Sequence, residues 1–324
     1  MEQIDFIEIE GIQVGHAQDL EAATGCTVIL CEKGASVGVD VRGGAPSTRE
    51  TDLLNPVNLI QKVHAIVLSG GSAFGLDAAS GVMQYLEERK IGFDVQVTRV
   101  PIVCGAALFD LTIGDYRIRP DKEMGYQACL NAGSIEYKQG CIGAGTGATV
   151  GKILGMGRAM KSGLGSYALQ FGDLKVGALV AVNCLGDVID PLTGKRLAGP
   201  LNEDMQTIAG TEEIMIKSYF DKKSLFTGHT TIGVVATNAA MTKTEATKIA
   251  SMAHNGYART MRPAHSMFDG DTIFAMSTGN IEADQSVVGL LAARVIERAV
   301  IAAIENAEPL CGLKCFADLK SKTN

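Results

Sequence analysis

The chain has 324 residues, 46% of them hydrophobic, with 38 glycines, no tryptophan and a formal charge of -7. That apolar share is enough for a sizeable core and excludes a disordered chain. The acidic balance, with no basic stripe interleaved with aromatics, argues against nucleic acid as a partner.

The opening stretch, MEQIDFIEIEGI, is acidic and lacks an apolar signal core, and no later stretch reaches membrane-spanning length. The expectation is a cytoplasmic protein with no membrane partner. Cysteines stand at 26, 31, 104, 129, 141, 184, 311 and 315. Without a signal peptide they read as buried free thiols. The pairs Cys26/Cys31 and Cys311/Cys315 do not fit a four-ligand zinc pattern and the five histidines are scattered, so neither a metal nor a cofactor is expected.

Cys26 to Leu30 and Ala35 to Val41 read as two strands joined by a short Glu32-Lys33-Gly34 turn. The loop from Val41 to Asp52 is rich in glycine and hydroxyls and carries Arg42 and Arg49. It reads either as a solvated connection or as a wall for an anionic or carbonyl group. Ala65 to Leu68 is a short apolar strand, followed by Ser69-Gly70-Gly71-Ser72 and a helix from about Ala73 to Arg89. Small residues at that helix start predict another element packed closely against it. Its free backbone N–H groups, around Gly70 to Ser72, are candidates to polarise a carbonyl. The esterase elbow G-x-S-x-G fails here, because Phe74 stands where its second glycine belongs.

Residues 140–157 invite a phosphate-loop reading, which Thr146 and Ile153 exclude. Lys152 is left as a cation in a glycine-rich, largely uncharged segment, either snorkelling to solvent or held for a purpose. Val176 to Val182 is a buried-strand candidate that ends in Asn183. From about Thr193 to Gly228 the chain is polar, carries the Lys222-Lys223 pair and predicts one short helix near Glu212 to Tyr219.

Then Gly228-His229-Thr230-Thr231 opens the β-branched run Ile232 to Asn238, a buried strand by composition. Thr242-Lys243-Thr244-Glu245 is a capping box, and the helix it starts runs to about Thr260, with Pro263 barring continuation. Asp269-Gly270-Asp271 is a turn leading into a strand, and residues 284–306 form a long apolar-faced helix. Asp269 and Asp271, two apart at a strand mouth, face the same side in extended geometry.

Together the segments Val41–Asp52, Leu68–Asp77, Val100–Leu111, Gly143–Gly155, Gly228–Asn238 and Asp269–Asp271 resemble the L-aminopeptidase/D-esterase family. This N-terminal-nucleophile group includes β-peptidyl aminopeptidases and nylon-oligomer hydrolases. The pieces fall in order and cover nearly the whole chain. The resemblance implies an α/β (α+β) fold, a four-layer α/β/β/α sandwich of the N-terminal-nucleophile aminopeptidase type, in one autoprocessing domain over residues 1–324. It implies a cut at His229–Thr230, giving an α chain of residues 1–229 and a β chain of residues 230–324, with the αβ units assembled into an oligomer. Thr230 is then the nucleophile. Asp269 and Asp271 orient its hydroxyl and amine, Asn183 donates to the oxyanion, and Lys152 stabilises the same charge or moves protons. The substrate is a small peptide or amide. One departure stands: relatives with threonine often carry asparagine before it, where this chain has His229. An ornithine-acetyltransferase-like acyltransferase and an uncut small-molecule-binding homologue are the alternative readings.

Overall fold

The computed structural model describes residues 1–133, 138–221 and 229–320. Lys222, Lys223 and Gly228 lie outside the described residues. A 10-stranded sheet dominates. Its strands are β1 (Glu2–Ile4), β2 (Gln13–Asp19), β3 (Thr24–Val41), β4 (Thr48–Arg49), β5 (Val63–Ser69), β6 (Val103–Ala107), β7 (Leu164–Phe171), β8 (Leu174–Ala181), β9 (Ile232–Ala239) and β10 (Thr272–Ile281). The helices are α1 (Ala78–Glu88), α2 (Lys122–Leu130), α3 (Thr211–Asp221), α4 (Lys243–Thr260), α5 (Gln285–Glu305) and α6 (Phe316–Lys320).

The sheet folds into two layers because β3 belongs to both. Its first half pairs antiparallel with β2 and β5, Thr24 facing Asp19 and Cys26 facing Ser69. Its second half pairs antiparallel with β10, from Ser36 opposite Ser277 to Val41 opposite Thr272. Between Leu30 and Ala35 the register slips, with Gly34 in the left-handed region at φ 75°. The sequence predicts two strands and a turn here. The structure has one strand of 18 residues, because the chain does not reverse. It passes from one layer into the next, and the extra residues are absorbed as a bulge.

Three apolar clusters fill the three interfaces of this four-layer sandwich. Val28, Leu30, Ala65 and Val67 pack under Ala79, Val82 and Leu86 of α1 and Ala128 of α2. Val176, Ala178, Val180, Val235 and Ile273 meet Ile249 and Ala253 of α4 and Val295 and Ala299 of α5. Between the two sheet layers lie Ile29, Ile66 and Leu68 against Leu179, Ile232, Val234 and Phe274. Successive side chains along β8 and β9 alternate between the last two clusters, so both faces are apolar and the strands read as continuous hydrophobic runs. Strand β9 runs parallel to β10, with α4 as the crossover, and that pairing brings the starts of the two strands together. Among the described residues no helix is long and apolar enough to cross a membrane.

The helix expected over Ala73 to Arg89 is a tight 3-10 turn, Ser72–Asp77, followed by α1. Its small residues meet α2 at a backbone-to-backbone crossing. A Cβ on Gly81 would stand 1.8 Å from the Lys122 carbonyl oxygen, and one on Gly125 1.9 Å from that of Ala78. Gly125→Ala must therefore separate the helices. It is expected to cost roughly 1–3 kcal/mol in a urea melt, despite alanine's better helix propensity. A midpoint at or above the parent's would show that the crossing has slack.

Candidate functional site

The parallel pairing continues upstream of β9 and β10. His229 N donates to Phe268 O at 3.2 Å, Gly270 N to His229 O at 3.1 Å, and Thr272 N to Thr231 O at 3.1 Å. On the other side Thr230 N donates to Asn183 O, just past the end of β8, at 3.1 Å. Thr230 is thus held between the Asp269–Asp271 turn and Asn183. It is 4% exposed, and its hydroxyl donates to the carbonyl of the residue before it, His229. Gly270 makes room for that hydroxyl, since a Cβ there would come within 2.7 Å of Thr230 Oγ1.

Lys152 is buried, not snorkelling. Its Nζ donates to Asn183 Oδ1 at 2.7 Å and to Asn183 O at 3.1 Å. Gly151, at φ 69°, turns the chain so that Lys152 N donates to Leu185 O next to this strand end. Burial pulls the Lys152 ammonium down to about 7, against the opposing pull of Cys184, Asp269 and Asp110. Asn183 is fully engaged on its oxygen side, where Oδ1 also accepts from Thr149 N at 3.0 Å. Its Nδ2, expected to serve an oxyanion, donates to Phe109 O at 2.9 Å.

The two aspartates, both buried, differ in their partners. Asp271 Oδ1 accepts from Thr231 N at 2.9 Å, while Oδ2 accepts from His265 N at 3.0 Å and His265 Nδ1 at 2.9 Å. It therefore holds the residue after Thr230. Asp269 Oδ2 accepts from Ser266 N at 2.8 Å, and its Oδ1 is buried with no hydrogen-bond partner among the described residues. Burial, then the charge of Asp271, pushes the Asp269 carboxyl up to about 6, with Ser266 and Lys152 pulling the other way. The His229 ring is driven down to about 2 by burial and by Lys152, which holds it neutral.

The loop over Val41 to Asp52 is a wall of this site, but through its backbone. Ala45 N donates to Asp269 O at 2.8 Å and Arg42 N to Asp271 O at 2.9 Å. The arginine side chains are committed elsewhere, Arg42 to Asp40 and Ser251, Arg49 to Ser80 and Leu76. The N–H groups of Gly70 to Ser72 do not serve as oxyanion donors here, because each is taken inside the fold. They donate to Gly25 O at 2.9 Å, Asp110 Oδ1 at 2.6 Å and Leu108 O at 2.9 Å. Asp110, His265 and Thr149 are residues that sequence reasoning missed. Asp110 is buried, accepts from Thr24 Oγ1 at 2.8 Å and is pushed up to about 6 by burial. All eight cysteines are free, and among the described residues no group of three or more acidic, histidine or cysteine side chains is set to hold a metal.

Comparisons with known proteins bear on the same frame. The chain is 40% identical over 341 residues to an uncharacterized aminopeptidase of Mycobacterium tuberculosis (strain ATCC 25618 / H37Rv), covering 96% of each. It is 32% identical over 287 residues to a 6-aminohexanoate-oligomer endohydrolase of Paenarthrobacter ureafaciens, covering 85% of this chain and 75% of that one. Among solved structures, a beta-aminopeptidase of Burkholderia sp. superposes with a TM-score of 0.72 at 17% identity, over 97% of this chain and 91% of that one. The L-aminopeptidase D-Ala-esterase/amidase of Ochrobactrum anthropi, described as a variant of the Ntn-hydrolase fold, gives 0.71 at 19% identity, over 93% and 86%. Those two likenesses establish the fold. The model of peptidase family S58 matches residues 5–315, nearly the whole length, so the chain is a hydrolase and belongs to peptidase family S58.

Proposed function

We propose that this chain is the precursor of an N-terminal-nucleophile amide hydrolase that cuts itself between His229 and Thr230. It then releases N-terminal residues from small peptides, amides or related amide oligomers. The observation that carries this reading is the convergence on one peptide bond. The Thr230 hydroxyl lies against the His229 carbonyl, and the oxygen of that carbonyl also receives the Gly270 N–H at 3.1 Å.

In self-cleavage, Thr230 Oγ1 attacks the His229 carbonyl carbon and its proton passes to the Asp269 carboxylate, whose second oxygen is uncommitted. A carboxyl titrating near 6 is largely ionised at neutral pH, yet basic enough to take a proton in the transition state. The Gly270 N–H stabilises the charge that develops on the carbonyl oxygen. The C–N bond breaks as Asp269 returns that proton to the Thr230 nitrogen, which leaves as an amine, and water opens the resulting ester. Scission supplies what an internal threonine lacks. The new α-amine, ordinarily titrating near ~7.7–8.0, is a base beside the hydroxyl.

In turnover the same oxygen attacks a substrate carbonyl, with the α-amine taking the proton directly or through one water. Lys152, whose Nζ rests on the carbonyl that holds Thr230 N, supplies positive charge to the tetrahedral intermediate. Asn183 orients Lys152, accepting from its Nζ on both Oδ1 and the main-chain oxygen. The neutral His229 ring serves where relatives often have asparagine, since a neutral side chain adds no charge beside the carbonyl that Thr230 attacks.

Intact mass and N-terminal sequencing of the purified protein test this. The expected result is a pair of chains, residues 1–229 and 230–324, the second reading Thr-Thr-Ile-Gly. A protein that hydrolyses an aminoacyl anilide while yielding only the full-length chain would overturn it.

A further inference from the structure

Between α4 and the Asp269–Asp271 turn the chain holds His265 at φ 60°, a left-handed conformation uncommon outside glycine. That conformation has a visible consequence. It aims the backbone N–H and the ring Nδ1 of one residue at a single carboxylate oxygen, Asp271 Oδ2, at 3.0 and 2.9 Å. The ring cannot swing away, because it packs edge-on against His254, with centroids 4.9 Å apart, and beside Tyr257 at 6.4 Å. His254 is itself pinned by its Nε2 to Asp40 O at 2.9 Å. The other ring nitrogen of His265, Nε2, is buried with no hydrogen-bond partner among the described residues, so Nδ1 is the nitrogen that carries the donated hydrogen.

These contacts explain why the two aspartates are unequal. Asp271 is saturated by Thr231 and His265, which fixes its charge in place, and that fixed charge bears on Asp269, whose Oδ1 is bare. The other groups that act on Asp269 are Lys152, from the glycine-rich segment, and the Ser266 donors. The titratable side chains facing the His265 ring are Asp271 on the turn and His254 and Tyr257 on α4.

We propose that His265 is a positioning residue for the Thr230 reaction: its double donation clamps Asp271 to the Thr231 N–H and sets the electrostatic field in which Asp269 meets the Thr230 hydroxyl. The inference rests on the reading of Thr230 as a self-cleaving nucleophile, and the test separates the two. His265→Gly removes the ring donor and tolerates the left-handed backbone. His265→Asn tolerates that backbone too and returns an N–H donor near the place of Nδ1. Each full-length chain is made by cell-free synthesis at a series of pH values, and the first-order appearance of the fragment beginning at Thr230 is followed by mass spectrometry.

A hydrogen bond to a charged group corresponds to roughly 10- to 100-fold in rate, so the glycine variant is expected to cleave that much more slowly at pH 7. With one donor gone, the Asp271 charge is less compensated and Asp269 holds its proton to higher pH. The acid limb of the rate profile therefore moves upward. The asparagine variant is expected to recover most of the rate and return the limb toward the parent's position. A glycine variant that melts like the parent and cleaves at its rate with an unmoved limb overturns the proposal. So does one that has lost its cooperative melt, since His265 then serves the fold and not the reaction. A parent that never yields the Thr230 fragment instead refutes the self-cleavage reading itself.

Discussion

Thr230→Ala is expected to leave one uncut chain of 34.0 kDa and to abolish hydrolysis, both seen in a single denaturing gel with a parallel amide assay. Two separate losses combine in that result. The precursor loses the oxygen that attacks the His229 carbonyl, so no amine is ever released at position 230. The active site loses its nucleophile, and removal of a nucleophile from an enzyme of this kind lowers turnover by on the order of 10⁴- to 10⁶-fold. The fold should hardly notice, because the Thr230 hydroxyl makes its contact with the adjacent carbonyl alone among the hydrogen bonds described, and such a bond is worth about 1 kcal/mol. Thr230→Ser is the matching control. It keeps the oxygen and gives up a methyl group, so it should still split and still hydrolyse. An alanine variant that splits between residues 229 and 230 at the parent's rate would transfer the chemistry to another residue and end the assignment.

The parts of the fold legible in the sequence are those written in local chemistry. The capping box at Thr242 and Glu245 announces α4, and the structure closes it with Glu245 N donating to Thr242 Oγ1 at 3.3 Å and Thr242 N to Glu245 Oε2 at 2.8 Å. The β-branched run after Thr231 announces β9 in the same way. Elements went unread where tertiary contacts overrule local preference. In α2, Gly125 sits mid-helix against its propensity because the Ala78 carbonyl occupies the space of a side chain. In β3, Gly34 looks like a hairpin turn but serves a strand that continues into a second sheet layer.

The site divides along the same line. Thr230, Asp269 and Asp271 sit at the starts of two strands, and the parallel pairing of those strands is what makes them neighbours. Lys152 and Asn183 are 31 positions apart and meet only because Gly151 turns the chain under the end of β8. Their roles follow from the family resemblance, since nothing in their spacing predicts the contact. His265 and Asp110 carry no pattern at all. A histidine after an alanine and an aspartate after a phenylalanine acquire meaning only from what the fold sets against them.

Asp269→Asn is expected to slow self-cleavage by roughly 10²- to 10⁴-fold, the usual loss when a positioned proton acceptor is removed, while leaving the protein at least as stable as the parent at pH 8. The sign of the second effect follows from the carboxyl itself. Its ordinary value is 3.8 and in the fold it stands at about 6, raised first by burial and then by Asp271. The fold therefore prefers the protonated acid. That preference stabilises fully below pH 3.8 and is lost as the pH rises through 6, so above neutrality the buried charge costs about 3 kcal/mol. Asparagine has nearly the same shape and never ionises, so it escapes this cost. Asp110, raised to about 6 for the same reason of burial, is present in both proteins and cancels from the comparison. Urea melts of parent and variant at pH 5 and pH 8 should diverge in the variant's favour as the pH rises, while mass spectrometry shows the variant chain still largely uncut. A variant that is destabilised at pH 8 and cleaves normally would make Asp269 a turn residue whose charge the fold needs. The opposite pair of results, less reaction and more stability, is the signature of a charge kept buried for its chemistry.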